Sequence, residues 1–445
     1  MNNNSLITKL SNIVGNQFIL TQKIDKLPYT KEYVNQPLAI VFPNNENEIT
    51  KIISETYKSD VPVITRGSGT SIWKTAFPSI SDSIILSTLR MKDIINVNLS
   101  NREICVESGI SLGEINQYLA SSNYFVPPNP INESISTIGG CLVTNVSGIK
   151  SIKYGTIGNH VSSINVVVKN GDLISINKND NNDIGIRSIL NSHGSLGVIT
   201  KIKLNVTPYY KIKKFLSLSF NNLIDLLNCS RDVCLLGLEP SMLGFIDEHT
   251  LDKINIHYKL QNDLLKSHLL FIGFESHTNA EINYKINNTK KIVNTFTGKI
   301  LDLVEENQIL EIYRYVFPCL ESLNPTPIIF ELIHVSKNIK EILNMIEDIK
   351  MKFNINIFTF GFDWYGSYFL AIQSENIQNP KLKNDLIILI NLINENGGRI
   401  HGDLDIIPKK QNNKFFDQIL YDTLKLWKTN LDPKNLFNPN NKVWI

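Results

Sequence analysis

The chain of 445 residues holds only five cysteines, Cys105, Cys141, Cys229, Cys234 and Cys319, and none of them forms a Cys-x-x-Cys pair. That removes the usual frames for structural zinc, an iron–sulfur cluster or a disulfide scaffold, and points to a reducing compartment. No apolar run nears the ~20 residues that cross a bilayer; the densest late one, Leu386–Ile390, is far too short. Met1-Asn2-Asn3-Asn4-Ser5 lacks the apolar stretch of a secretory leader, so the expected location is the cytoplasm, at most peripheral to a membrane through a partner. An excess of either charge is also missing. The net charge is +2, with both signs interspersed, which leaves no footprint for nucleic acid or an anionic membrane. What remains is ordinary globular composition, 42% hydrophobic, enough for two or three units that each bury a core.

The most informative stretch is Pro62–Ser71, where an apolar strand runs into Arg66-Gly67-Ser68-Gly69-Thr70-Ser71. Glycines let successive amides turn toward one point, and such a nest suits a phosphate or pyrophosphate, with hydroxyls and Arg66 as further donors. The same residues also suit an ordinary Gly/Ser turn. The dinucleotide fingerprint is absent, because Ile72 and Trp73 follow where a third glycine belongs, and so is the Walker loop. Around the loop, Leu38–Phe42 reads as a strand, and Asn45 with Glu48 has capping-box spacing before Ile49, Ile52, Ile53 and Tyr57 on one helical face. Ser83–Thr88 and Glu103–Glu107 read as strands, and Ser111 with Glu114 caps a second helix. Pro127, Pro128 and Pro130 force an extended segment. Small-residue patches flank an apolar run from Ser136 to Gly148, followed by Lys153-Tyr154-Gly155; they permit close approach of a flat ligand, or close helix–sheet packing. Asn170-Gly171 between two apolar runs predicts a hairpin with a type I′ turn. From Lys211 onward strands alternate with helices, including a predicted helix Leu303–Tyr315, strands Ile328–His334, Phe358–Asp363 and Tyr368–Gln373, and helices Asn338–Phe353 and Asn384–Ile393.

In this order the segments resemble the flavoprotein family of glycolate oxidase and D-lactate dehydrogenase, within the class that shares the vanillyl-alcohol-oxidase, or PCMH-type, FAD domain. The family's Pro-Arg-Gly-Gly-Gly-Thr-Gly loop is matched by Thr65–Ser71, and its Pro-Pro-Asp-Pro by Pro127-Pro128-Asn129-Pro130. Its Thr-Ile-Gly-Gly segment is matched from Thr137 to Gly148, its Lys-Tyr-Gly at 153–155, its Gly-Ser-Glu-Gly-Thr-Leu-Gly from Asn191 to Gly197, and its closing Leu-Asp-Pro…Asn-Pro from Leu431 to Pro439. The resemblance covers essentially the whole chain. It implies an α+β protein: a two-subdomain FAD-binding domain over residues 1–210, a cap of antiparallel sheet with helices on one side over 211–395, and a segment 396–445 that returns to the FAD domain. It implies FAD held at the pyrophosphate by Arg66, Gly67, Ser68, Gly69, Thr70 and Ser71. Pro128, Thr137, Gly139, Gly140, Thr144, Asn145, Gly148, Tyr154, Gly155, Gly197, Val198 and Asn438 would bind the rest. Relatives that tether FAD covalently have a His at the position of Thr70, so non-covalent FAD is expected.

The resemblance also places a carboxylate-binding arginine at Arg314, in Ile312-Tyr313-Arg314, although Glu311 stands where the family has Trp; a surface arginine on an amphipathic helix would look the same. The main departure is in the metal motif. The two histidines of the family's Phe-Gly-His-x-Gly-Asp-Gly-Asn-Leu-His become Phe362 and Phe369, the third ligand becomes Asp403, and the adjacent catalytic His becomes Leu404. Phenylalanine cannot coordinate, so no metal is expected. The remaining candidates for a base are His401 and Asp403, with Asp405, Tyr365 and Tyr368 nearby in sequence; His401 beside a Gly turn also suits a purely structural role. Phe362, Trp364, Tyr365, Tyr368 and Phe369 suit either an apolar pocket or core packing. The implied activity is oxidation of a small hydroxy acid such as glycolate or D-lactate, or a related alcohol, by hydride transfer to flavin N5. Electrons would pass to an external acceptor or an iron–sulfur partner protein. The alternatives are an electron-relay subunit of a glycolate-oxidase-like complex, and ether-forming chemistry of the alkylglycerone-phosphate synthase type.

Overall fold

Alternating and continuous apolar runs in the first hundred residues condense into a small sheet of β1 (Ile19–Leu20), β2 (Ala39–Val41), β3 (Val63–Arg66) and β4 (Ile84–Ser87), in the order β1-β2-β4-β3. The computed structural model describes residues 3–30, 35–178, 184–259, 267–333, 339–362, 367–402 and 418–439. β2 and β3 both run parallel to β4, so the helix Glu46–Lys58 is a crossover that skips one strand position. Its start follows the capping logic: the Asn45 side chain accepts from the Glu48 amide at 3.0 Å, and the Glu48 carboxylate accepts from the Asn44 amide at 2.8 Å.

A second sheet is antiparallel throughout. It contains β5 (Ile94–Asn98), β6 (Glu103–Glu107), β8 (Val161–Val167), β9 (Leu173–Asn177) and β10 (Val198–Asn205), in the order β5-β6-β10-β8-β9. β7 (Tyr124–Phe125) and β11 (Thr207–Pro208) form a separate ribbon. The turn between β8 and β9 has Asn170 at φ 58° and Gly171 at φ 86°, with the Asp172 amide bonded back to Lys169, the predicted I′ geometry.

The third sheet forms the cap. Its strands are β12 (Ile212–Phe220), β13 (Met242–Ile246), β14 (His268–Ser276), β15 (Lys299–Val304), β16 (Ile328–Ile333), β17 (Asn356–Phe362), β18 (Ser367–Gln373) and β19 (Arg399–Gly402). They lie in the order β15-β12-β14-β13-β17-β18-β16-β19, every pair antiparallel. Helices Leu223–Leu235, Asn279–Val293, Ile339–Phe353 and Pro380–Glu395 bury one face of the sheet. Helices Glu248–Tyr258 and Glu306–Glu321 pack on the other.

One predicted element is displaced. The helix expected over Leu303–Tyr315 is Glu306–Glu321, because Leu303 belongs to β15, opposite Leu216. Nor does the helix end before Pro318. Pro318 cannot donate to the carbonyl of Arg314 four residues back, yet buried Val316, Cys319 and Leu320 anchor the last turn to the core.

Two polar devices join the halves. The side chain of Lys150, 3% exposed, pairs with Glu275 of β14 at 3.1 Å and with Glu306 of the cap helix at 2.8 Å. Tyr154 donates its hydroxyl to Glu275 at 2.6 Å. Burial opposes the charge on Lys150, but Glu306 and Glu275 overcome it and raise its pKa; burial likewise opposes the Glu275 carboxylate, and Lys150 with Tyr154 lowers its pKa in spite of it. At the other end, the helix Gln418–Leu431 returns to the second sheet, with Leu424 in that sheet's core. Lys428 donates to Ser195 O at 2.8 Å, to Asp432 at 2.7 Å and to Phe437 O at 2.7 Å.

Candidate active site

A cavity of about 1310 Å³ lies between the glycine loop, the small-residue segment 136–147 and the cavity-facing side of the cap sheet. It exceeds the usual range for one small ligand, so it has room for a large cofactor and a substrate together.

The first wall is mostly backbone. A Cβ on Gly67 would lie 1.9 Å from the Thr137 hydroxyl oxygen, so only glycine lets the loop pass Thr137 here. Gly69 sits at φ +77°, a conformation that L side chains rarely adopt, and a Cβ there would lie 2.2 Å from the Arg66 guanidinium. Arg66 itself is folded under the loop: it donates to Ala76 O at 3.1 Å and lies between the Tyr29 and Phe77 rings, 5.1 and 5.0 Å away. Burial pushes its pKa down. Thr70 and Ser136 share a hydrogen bond of 3.2 Å. Thr144 donates to Gly140 O at 3.0 Å, and Asn145 accepts from the Gly158 amide at 3.2 Å. Cys141 belongs to the lining but is buried in the second sheet's core, and burial pushes its thiol pKa up to about 12, which keeps it protonated and unreactive.

Ser71 and Ser108 supply the test of fit. Both residues belong to the cavity lining, and their hydroxyls are buried with no hydrogen-bond partner within the protein. Buried orphan hydroxyls beside a glycine-built concavity suit a phosphorylated, hydrogen-bonding cofactor.

The second wall is made of side chains. The helix Glu306–Glu321 brings Tyr313, Arg314 and Phe317; β16 brings Glu331; β17 and β18 bring Phe362 and Phe369. Arg314 is exposed toward the cavity and donates from Nε to Ile131 O at 3.3 Å. The Tyr313 hydroxyl sits 3.1 Å from Phe245 O and 3.0 Å from Gly361 O, so it presents its ring rather than its hydroxyl. Gly244 makes room for it, since a Cβ there would lie 2.5 Å from the hydroxyl oxygen.

Of the residues singled out in the sequence, Arg66 through Ser71, Thr137, Gly139, Gly140, Thr144, Asn145, Gly155, Gly197, Val198 and Arg314 line this one cavity. Four stand behind the wall. Asn438 accepts from the Thr65 amide at 2.8 Å and donates to His193 O at 2.7 Å, so it braces the loop. Tyr154 turns to Glu275. Gly148 packs on the backbone of Asn129, and Pro128 is absent from the lining. His401 lies on β19, in register with Glu331. Asp403, Leu404 and Asp405, like Asp363, Trp364, Tyr365 and Gly366, lie outside the described residues. Among the described residues, no group of three His, Cys, Asp or Glu side chains could hold a metal ion. Sequence reading missed Glu331, His193, Ser108 and Phe317 as lining residues. Glu331 carried a signal: it is the lone charge in Ile328-Ile329-Phe330-Glu331-Leu332-Ile333, and a charge inside an apolar strand usually has a task.

Glycine loop, orphan hydroxyls and a facing cap together define a protein that holds a large phosphorylated cofactor against a substrate wall. Comparison with known proteins specifies which. Residues 37–177 match the FAD binding domain profile, and residues 211–441 match that of FAD linked oxidases, C-terminal domain. The chain belongs to the FAD-linked oxidase family and is an FAD-dependent oxidoreductase. It is 26% identical to the glycolate oxidase subunit GlcD of Bacillus subtilis, over 92% of this chain and 90% of that protein. It is 25% identical to D-lactate dehydrogenase of Archaeoglobus fulgidus, over 91% of each. The 4-ethylphenol oxidase of Gulosibacter chungangensis has the same fold, with a TM-score of 0.79 at 12% identity over 99% of this chain and 97% of that one. An alkyldihydroxyacetonephosphate synthase does too, with a TM-score of 0.76 at 18% identity over 98% and 85%.

Proposed function

We propose that the chain oxidises the carbinol carbon of a small 2-hydroxy acid, the class of glycolate and D-lactate, or of a related alcohol. The carrying observation is that Arg314 and Glu331 reach, from the cap, the same cavity that the glycine loop reaches from the other side. Relatives named glycolate oxidase subunit and D-lactate dehydrogenase support the reading. Bound FAD supplies a two-electron acceptor for hydride. Ser71, Ser108 and the amides around Gly67–Thr70 hold the phosphorylated part of it, and the backbone of Gly139, Gly140 and Asn145 lies along the rest. FAD is held without a covalent bond, since Thr70 offers only a hydroxyl hydrogen-bonded to Ser136. Arg314 holds the substrate carboxylate, a task suited to a planar guanidinium. Glu331 takes the hydroxyl proton, with His401 next to it across β16–β19; of the carboxylates in the described lining it is the one set in the cap sheet beside Phe369. Electrons leave to an external acceptor, and an iron–sulfur partner protein fits a chain whose relative is named a subunit.

The test is anaerobic mixing of the yellow protein with D- and L-2-hydroxy acids and simple alcohols. Loss of the flavin absorbance with a hydroxy acid is the expected result. A flavin that stays oxidised throughout, in a protein that captures a partner tightly, would replace this reading with the relay subunit.

A further inference from the structure

We infer that the substrate carries a sizeable apolar group, aromatic or branched aliphatic, next to its carbinol carbon, in place of the hydrogen or methyl of the smallest hydroxy acids. This rests on the hydroxy-acid reading above and narrows it.

The argument starts from β-sheet register. Phe360 of β17 faces Phe369 of β18, and Phe369 faces Glu331 of β16. Register partners share a face, so these three stand in one row, and the proposed base is flanked by a phenyl ring. Phe360 and Phe369 are stacked, with centroids 5.2 Å apart and planes at 18°. Phe317 stands edge-on to both at 5.4 Å. Phe362 leans on the Tyr313 ring at 5.1 Å, and the Tyr313 hydroxyl is turned away to two backbone carbonyls. Phe317, Phe362, Phe369 and Tyr313 all reach the cavity. Rings locked against one another in this way keep their shape and cannot withdraw to expose polar backbone.

The second wall therefore offers polar anchors at Arg314 and Glu331 and an apolar surface of rings beside them. A substrate with only hydrogen or methyl on its carbinol carbon leaves the half-buried Phe317 ring, and the small exposed edges of Phe362 and Phe369, in water. One with an isobutyl or benzyl group displaces that water, which tightens binding about fourfold per buried methylene.

The experiment uses the full FAD-loaded chain and inert carboxylates that lack the hydroxyl: acetate, isovalerate and phenylacetate, with 2-phenylethanol as an uncharged probe. Binding is read by isothermal titration calorimetry and by the shift of the flavin visible band. Phenylacetate should bind roughly 30-fold tighter than acetate, with isovalerate between. Phe317→Ala and the milder Phe369→Leu should each cut that ratio several-fold with flavin content unchanged, whereas Arg314→Met should weaken all three acids and preserve the ratio. Equal binding of acetate and phenylacetate, or a ratio untouched in both phenylalanine variants, would overturn the inference and leave the hydroxy-acid reading standing. Binding of 2-phenylethanol with no binding of any carboxylate would do the opposite: the apolar site stands and the carboxylate anchor falls. Binding of none of the four probes overturns the apolar site.

Discussion

The two walls of the cavity are built by different means. The glycine-loop wall is backbone: it depends on where Gly67 and Gly69 let the chain pass and on the hydroxyls of Ser71 and Ser108. The cap wall is side chain: Arg314, Glu331, Phe362 and Phe369 come from one helix and three separate strands. A backbone wall tolerates little change, because a single Cβ obstructs it. A side-chain wall can be refitted residue by residue on an unchanged sheet.

If the cap wall carries the chemistry, the largest effect should come from Glu331→Gln, which keeps size and removes the base. Flavin reduction by the best hydroxy acid should slow by about 10²–10⁴-fold, measured by anaerobic stopped flow, with flavin content unchanged. Gly69→Val attacks the other wall, adding a side chain at φ +77° against Arg66. It should weaken FAD retention by roughly 100-fold, read from the ratio of flavin to protein absorbance, while the cap sheet stays folded by circular dichroism. Arg314→Met should lower kcat/KM for acids by about 10–100-fold and leave simple alcohols nearly untouched. That asymmetry separates an anchoring arginine from a surface one.

Smaller effects fall on the joint between the walls. Glu275→Gln breaks the buried contact with Lys150 and should cost about 3–5 kcal/mol in denaturant melts. The pH dependence has a definite sign. The carboxyl pKa of Glu275 is depressed on folding, so its contribution is present at neutral pH and is lost as acid brings the pH down through that depressed value. The ammonium pKa of Lys150 is raised, so its contribution persists through neutral pH and is lost only in strong alkali, above the ordinary 10.5. The Gln variant should therefore lose part of the acid limb of the stability profile. Mildest of all, Asn438→Ala removes the brace on Thr65 and His193 and should weaken FAD binding several-fold, roughly the worth of one or two hydrogen bonds.

The same contrast explains what the sequence alone could reveal. The backbone wall was readable because its requirements fall on consecutive residues: Arg66–Ser71 and Thr137–Asn145 each state a local geometry. The hairpin at Asn170-Gly171 was readable for the same reason. Glu331 leaves only the mark of a lone charge in an apolar strand; its place beside Phe369 depends on the ladder that sets β16 beside β18, which no local pattern gives. The full span of the Arg314 helix was hidden as well, since Pro318 reads as a stop until Val316, Cys319 and Leu320 are seen to be buried. Tyr154 and Asn438, expected at the cofactor, stand one layer back, joining the halves and bracing the loop.

The most direct measurement is a crystal structure of the flavin-loaded chain with phenylacetate bound. The account predicts the flavin ring between the Gly139–Asn145 backbone and the Phe362–Phe369 rings, the carboxylate on Arg314, and the phenyl group against Phe317 and Phe369. A flavin lodged elsewhere, or a carboxylate bound away from Arg314, would contradict it.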